Sequence, residues 1–201
     1  MSIPGLVIAV TMHEYIRSLT AYKLGDKRIK DELKKQGRLS PNPLKHMDPL
    51  GGLFMLFFAY GWSNPPRTHF VFPRHKQAAV IVFLMPFLVN IALGAAFALA
   101  RQLFISHFVP MPDVNLNTII IIAEILRQGA IYCISFALFN LLPIYPLSGF
   151  SLVSALSPET GLKLAQAEKF LQILLVFAII MGFAAMIFDP LTIFVLRTMN
   201  F

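Results

Sequence analysis

No Asp, Glu, Lys or Arg interrupts the chain between Ala78 and Ala100. About twenty consecutive apolar residues are what an α-helix needs to cross a hydrocarbon core of roughly 30 Å. The run predicts a membrane span, and the rest of the chain must fold around a bilayer. Composition agrees: 57% of the 201 residues are apolar and 13% charged, against about 45–50% and about 25% in soluble domains. Disorder is excluded and a water-soluble enzyme is disfavoured. Fourteen prolines and nineteen phenylalanines point to bent or broken helices, which lipid tolerates only where protein or water satisfies the freed backbone groups.

Three further segments are long enough to reach across or into the bilayer. Ile3 to Leu24 is apolar at both edges but holds His13, Glu14 and Arg17, and such groups belong in a membrane helix only when they face protein or a cavity. Thr118 to Leu142 carries Glu124 and Arg127, whose i,i+3 spacing predicts an ion pair on one helix face. Phe170 to Phe188 is expected to end at Asp189-Pro190, with Leu191 to Leu196 as a half-inserted tail. Met47 to Trp62, MDPLGGLFMLFFAYGW, is too short for an ordinary span and is expected to form a re-entrant or interfacial hairpin entered through an Asp48-Pro49 turn. The expected fold class is an all-α multi-pass membrane protein of about four transmembrane helices, within three to six, plus that hairpin. A single domain is expected over residues 1–201.

The formal charge is +7, and twelve of the seventeen Lys and Arg residues fall between Arg17 and Lys76, against one between Arg101 and Asn117. Positive charge beside apolar runs marks the cytoplasmic face of a membrane. The basic residues lack interleaved aromatics for base stacking, so no nucleic-acid partner is expected. Residues 17–76 are then cytoplasmic, the first helix enters with its N-terminus outside, and alternation returns residues 143–169 to the cytoplasm. Glu14 and the Pro143 to Gly149 segment share one side of the bilayer in that arrangement. The start, MSIPGLVIAV, lacks a basic n-region and a cleavage pattern and is expected to be retained. Cys133 has no second cysteine to pair with and is expected to be a packed thiol.

His13-Glu14-Tyr15-Ile16-Arg17 occupies the frame of H-E-x-x-H, in which two histidines one helical turn apart hold zinc and the glutamate acts on the metal-bound water. Four segments follow in order: TAYKLGD, GRLSPNPLKHMDPLGG, GWSNPP and NLLPIYPLSGF. With these motifs the chain resembles the site-2 proteases, the intramembrane zinc metalloproteases, over almost its whole length. The resemblance implies a first zinc-ligand position at His13, the general-base position at Glu14 and a second ligand position at Arg17. The third, an aspartate in the family's N-x-x-P-x-x-P-L-D-G segment, falls on Ser148, and Asn140, Pro143, Pro146, Leu147 and Gly149 match around it. A G-P-x-x-N helix motif is echoed at Met85, Pro86 and Asn90, with the glycine replaced and the asparagine one position late. Gly51 and Gly52 open the element that lines the family's substrate path; with Asn140, Pro143 and Gly149 they are the implied substrate-binding positions. An extended substrate is expected to add to the hairpin edge as a strand.

Two of the three ligand positions depart from the family. Catalytic zinc takes three protein ligands and a water, whereas a guanidinium stays protonated and cannot ligate and Ser148 offers only a neutral oxygen. Without a Lewis acid to bring the water's pKa from about 15.7 toward about 7, Glu14 alone is not expected to hydrolyse a peptide bond. No cofactor is expected; zinc returns only with a rearranged site, for which His46 is the nearby residue, although its expected role is loop structure. His69, His75 and His107 have no ligand spacing. The expected function is a metal-free pseudoprotease that binds or regulates single-span membrane proteins, with Arg17 neutralising Glu14 in the metal's place. The alternatives are an active zinc intramembrane metalloprotease and, from another class, a small carrier or channel using Glu124 and Arg127, against which stands the lack of paired inverted halves.

Overall fold

The computed structural model describes residues 3–66, 76–109 and 115–199, and its regular elements are all helices. In chain order they are α1 (Ile3–Leu24), α2 (Lys27–Lys35), α3 (Pro43–His46), α4 (Pro49–Phe58), α5 (Lys76–Phe108), α6 (Leu116–Phe139), α7 (Ser148–Leu156), α8 (Pro158–Gln166), α9 (Glu168–Ile180) and α10 (Phe183–Thr198). Short polar residues start many of them. Asp26 accepts the Ile29 N–H at 3.0 Å ahead of α2, and Asp48 accepts the Gly51 N–H at 2.8 Å ahead of α4, with Pro49 in the first turn where no N–H is needed.

The chain is a membrane protein. Gln77–Phe108 and Leu116–Phe139 are long and apolar enough to cross a bilayer, and α9 with α10 makes a third span if that pair, bent by 70°, is taken as one. α1 has the expected bounds and 22 residues, but its polar side chains keep it out of that set. It is held against α5 and α6 instead. Leu6, Ala9 and Val10 pack on Tyr132, Cys133, Phe136 and Met55. Lipid is as apolar as leucine, so close approach between small residues holds membrane helices together; Ala9 is fully buried at these contacts, and Ala130 is fully buried with Ala98, Ile134 and Leu196 in a neighbouring cluster. Cys133 is the buried free thiol expected.

Three elements differ from expectation. The third apolar segment bends at Gly182, not at Asp189-Pro190: Gly182 adopts φ +79°, a left-handed conformation that side chains resist, whereas Pro190 lies inside α10. Proline removes one helical hydrogen bond, and α10 continues past it while the adjacent Asp189 carboxylate accepts the Tyr60 hydroxyl at 2.5 Å. Leu191 to Leu196 is therefore helical and part of α10. The span expected at Ala78 to Ala100 extends to Phe108, roughly 50 Å at 1.5 Å per residue. Finally, the Met47 to Trp62 hairpin has a helical first limb, α4; extended pairing among the described residues is one antiparallel bridge, Met47 to Ser63. No strand edge runs along it for a substrate to extend.

Glu124 and Arg127 pair as their spacing predicts, through two hydrogen bonds of 2.7 and 2.8 Å, and Gln128 donates to the same carboxylate. His107 lies in the last turn of α5; His69 and His75 fall outside the described residues.

Candidate functional site

His13, Glu14 and Arg17 lie within just over one turn of α1, each 2% exposed or less. Ser148 reaches them from the far end of the chain as the first residue of α7. The turn that delivers it is built by Asn140, which caps α6. The Asn140 amide donates to the Phe136 carbonyl at 3.0 Å and its side-chain oxygen accepts the Ser148 N–H at 3.4 Å, while its own carbonyl takes the Gly149 N–H at 2.8 Å. Pro143 stays exposed at the rim of this turn, and Gly149 is buried in it.

His13 Nε2 lies 2.9 Å from Ser148 Oγ. Arg17 is shared: Nη1 is 3.4 Å from Glu14 Oε1 and 3.5 Å from Ser148 Oγ, and Nη2 donates to Ser151 Oγ at 2.9 Å. Its guanidinium carbon is 5.0 Å from the centre of the Phe83 ring, a cation–π distance. Phe136 meets the His13 ring edge-on at 5.2 Å. Glu14 Oε1 also accepts the Ser63 hydroxyl at 2.8 Å. Thus the three ligand positions implied by the resemblance do converge, and a buried cation stands among them.

That donor set does not fit zinc. It consists of one imidazole and one hydroxyl, already bonded to each other, beside a guanidinium that would repel a divalent ion. Among the described residues no three His, Cys, Asp or Glu side chains are grouped to hold a metal. His46 is buried near this site, but its Nε2 donates to the Ser40 carbonyl at 2.8 Å and its ring packs edge-on against Tyr15. Burial pulls its pKa below the usual histidine range, against the opposing pull of the Ser40 bond and Glu14.

Around this cluster, space is scarce on one side and ample on the other. The crevice bordered by His13 and Ser148 holds about 10 Å³, close to one water. A cleft of about 320 Å³ lies between Asp48, Leu50, Trp62 and Asn64 of the 47–62 hairpin and its return, Tyr145-Pro146 of the α6–α7 turn, and Gln172, Leu175 and Val176 of α9. Gly51 and Gly52 are buried at the foot of α4, where a Cβ on Gly51 would stand 2.1 Å from the Trp62 carbonyl oxygen. Asn90 holds α1 from behind, its amide donating to the Ala9 carbonyl at 3.1 Å.

Ser63, Ser151 and Arg38 were not singled out from the sequence. Arg38 clamps the Asn64 and Pro65 carbonyls at 2.7 and 3.2 Å, which fixes the return limb that carries Ser63. Ser151 had a usable signal, three residues after Ser148 and on the same helical face. For Ser63 the signal was its place in GWSNPP.

No family model and no solved structure matches the chain. YwhC of Bacillus subtilis, by name a candidate zinc metalloprotease, is 34% identical over 173 residues, which are 82% of this chain and 73% of YwhC. Rip2 of Mycobacterium tuberculosis, likewise named, is 28% identical over 177 residues, 85% of this chain and 62% of Rip2. Both relatives are site-2 proteases by family. The membrane helices, the H-E frame on α1 and a relative matched over most of both chains lead to one conclusion: the chain belongs to the site-2 protease family of zinc metalloproteases.

Proposed function

We propose that this chain is a metal-free member of its family, which binds or regulates single-span membrane proteins through their transmembrane segments and does not cut them by metal-dependent hydrolysis. One observation carries the reading: Arg17 stands 3.4 Å from the family's general-base position and 3.5 Å from its third ligand position. Glu14 Oε1 accepts from Arg17 and Ser63, and the guanidinium beside it opposes a divalent ion there. The cleft beside the 47–62 hairpin, partly apolar in its lining, is the seat for the bound segment. In this reading α1, α5, α6 and the α9–α10 pair make four crossings, with residues 17–76 and 143–169 on the cytoplasmic side, in keeping with the contact between His13 and Ser148.

The test is elemental analysis of the purified full chain beside the Arg17→His/Ser148→Asp variant. The expected result is no stoichiometric zinc in the natural protein and tight zinc in the variant. One zinc per natural chain, lost on His13→Ala, or chelator-sensitive, Glu14-dependent cleavage of a single-span protein, would overturn the proposal.

A further inference from the structure

Away from the α1 site, a cleft of about 390 Å³ opens between α6 and α10, within the size range of small-molecule sites. Ile131, Ile193 and Leu196 wall it, and Arg127 and Arg197 border it. Antiparallel packing brings the two arginines to the same end. Ser135 of α6 meets Thr192 of α10 at 3.2 Å and Leu196 clusters with Ala130, and both arginines lie further along in the same direction. We propose that this cleft binds the head group of an anionic phospholipid, with the phosphate between Arg127 and Arg197.

The protein does not use up these two cations. Arg127 gives Nε and Nη2 to Glu124 at 2.7 and 2.8 Å, which leaves Nη1 without a hydrogen bond among the described residues. Its side chain is 39% exposed. Arg197, exposed in the last turn of α10, has no hydrogen bond or ion pair among the described residues. Guanidinium N–H groups match phosphate oxygens in geometry as well as in charge. Arg101 adds a third positive charge, near enough to act on the Glu124 carboxylate, so three guanidiniums face one glutamate at this end. The carboxylate that borders the cleft, Asp189, lies eight residues before Arg197 on α10 and accepts the Tyr60 hydroxyl. That spacing is about 12 Å of helix at 1.5 Å per residue, so the outer end stays positive.

Depth selects a lipid over a soluble anion. The charge-free run from Ala78 to Ala100 is long enough to cross the hydrocarbon, and it ends at Arg101. Phe97, one turn earlier, lies against Gly129 of α6, 2.9 Å from where a Cβ would stand. The crossing therefore carries Arg101 to the level of Glu124 and Arg127, and the cationic end of the cleft to the hydrocarbon edge, where lipid phosphates sit. In the proposed orientation this is the side away from the cytoplasm. Inward from that edge Ile131 and Ile193 offer apolar wall to the first methylenes, and Leu191 and Phe194 are exposed on the same helix for the chains beyond. A phosphodiester with no ammonium of its own neutralises part of the positive excess, whereas a zwitterionic head group returns a positive charge. A lipid seated there bridges α6 to α10. The inference is independent of the metal-free reading of the α1 site.

The experiment is native mass spectrometry of the full chain released from micelles that hold equal amounts of phosphatidylglycerol and phosphatidylcholine with the same acyl chains. The expected result is one retained phosphatidylglycerol per chain, favoured over phosphatidylcholine by about fivefold or more. Arg197→Gln changes an exposed side chain and should cut that retention about fivefold, the worth of one guanidinium at a membrane surface. Glu124→Gln with Arg127→Gln keeps the net charge and strands no partner, so it isolates the Nη1 contact, and it should cut retention by a similar factor. Arg28→Gln removes the same charge from the exposed side of α2 and should change nothing. Equal retention of the two lipids, undiminished retention in Arg197→Gln or in the neutral double variant, or an equal loss in Arg28→Gln overturns the site. Displacement of phosphatidylglycerol by excess inorganic phosphate assigns the arginines to a free anion and overturns the lipid.

Discussion

Replacing Arg17 by Met removes the guanidinium while keeping most of the side chain's length. Glu14, with no exposed surface, then loses the cation 3.4 Å from its Oε1 and keeps the Ser63 hydroxyl at that oxygen. Removing one partner of a buried ion pair costs about 3–5 kcal/mol, because the remaining charge stays desolvated. The lost bond to Ser151 at 2.9 Å adds about 1 kcal/mol. Glu14→Gln is expected to cost about 3 kcal/mol for the mirror-image reason. The double variant leaves no charge behind, so it should lie well below the sum of the two, with a coupling of at least about 2 kcal/mol. Reversible unfolding in mixed micelles, followed by circular dichroism for all four proteins, measures this. If the pair were only a hydrated polar patch, each change would cost about 0–1 kcal/mol. Additivity within about 0.5 kcal/mol would refute the claim that Arg17 supports Glu14.

Gly51→Ala sets a Cβ against the Trp62 carbonyl oxygen, whereas at Gly52 it meets nothing closer than Met47 Cε at 3.4 Å; the first should cost about 1–3 kcal/mol and the second far less, in the same unfolding assay. Tyr60→Phe removes a hydrogen bond to the Asp189 carboxylate and should cost about 1.5–3 kcal/mol, loosening α10 as read by amide exchange. His46 has a folded pKa below its ordinary 6.5, so on acidification the unfolded chain takes up the proton first. Its contribution is complete above about pH 6.5 and is lost as pH falls from there toward the folded value. Protease cleavage within residues 38–47 should accelerate over that window, and His46→Gln should flatten the pH dependence.

α1 and the Glu124–Arg127 pair were legible because local spacing alone determines them. The bend at Gly182 was not, since Asp189-Pro190 is the stronger breaker by sequence. Tyr60, which binds Asp189, is 129 positions away, and such a contact leaves no local trace. The same limit applies within the site. H-E-x-x-R and P-L-S-G name the positions that converge, but the hydrogen bond from Ser63 to Glu14 depends on a return limb clamped by Arg38. The strand edge expected at the hairpin failed because α4 already satisfies the backbone of its first limb.

On the proposed metal-free reading, charge balance links Arg17 and Ser148. In the family frame a divalent cation faces an aspartate and a glutamate, and the buried charges cancel; here one guanidinium faces one glutamate with a neutral serine, and they cancel again. Single exchanges break the balance. Ser148→Asp sets two carboxylates against one guanidinium, and Arg17→His leaves Glu14 beside an uncharged ring. Each uncompensated buried charge costs several kcal/mol, so both single variants should be less stable than the natural protein. The double variant, with two carboxylates and no guanidinium, should be the least stable of the four without metal. Zinc at one hundred times its dissociation constant should then return about 2.7 kcal/mol to the double variant while leaving the natural protein unmoved. A double variant as stable as the natural chain without zinc, and unshifted by it, would show that charge balance does not couple the two positions.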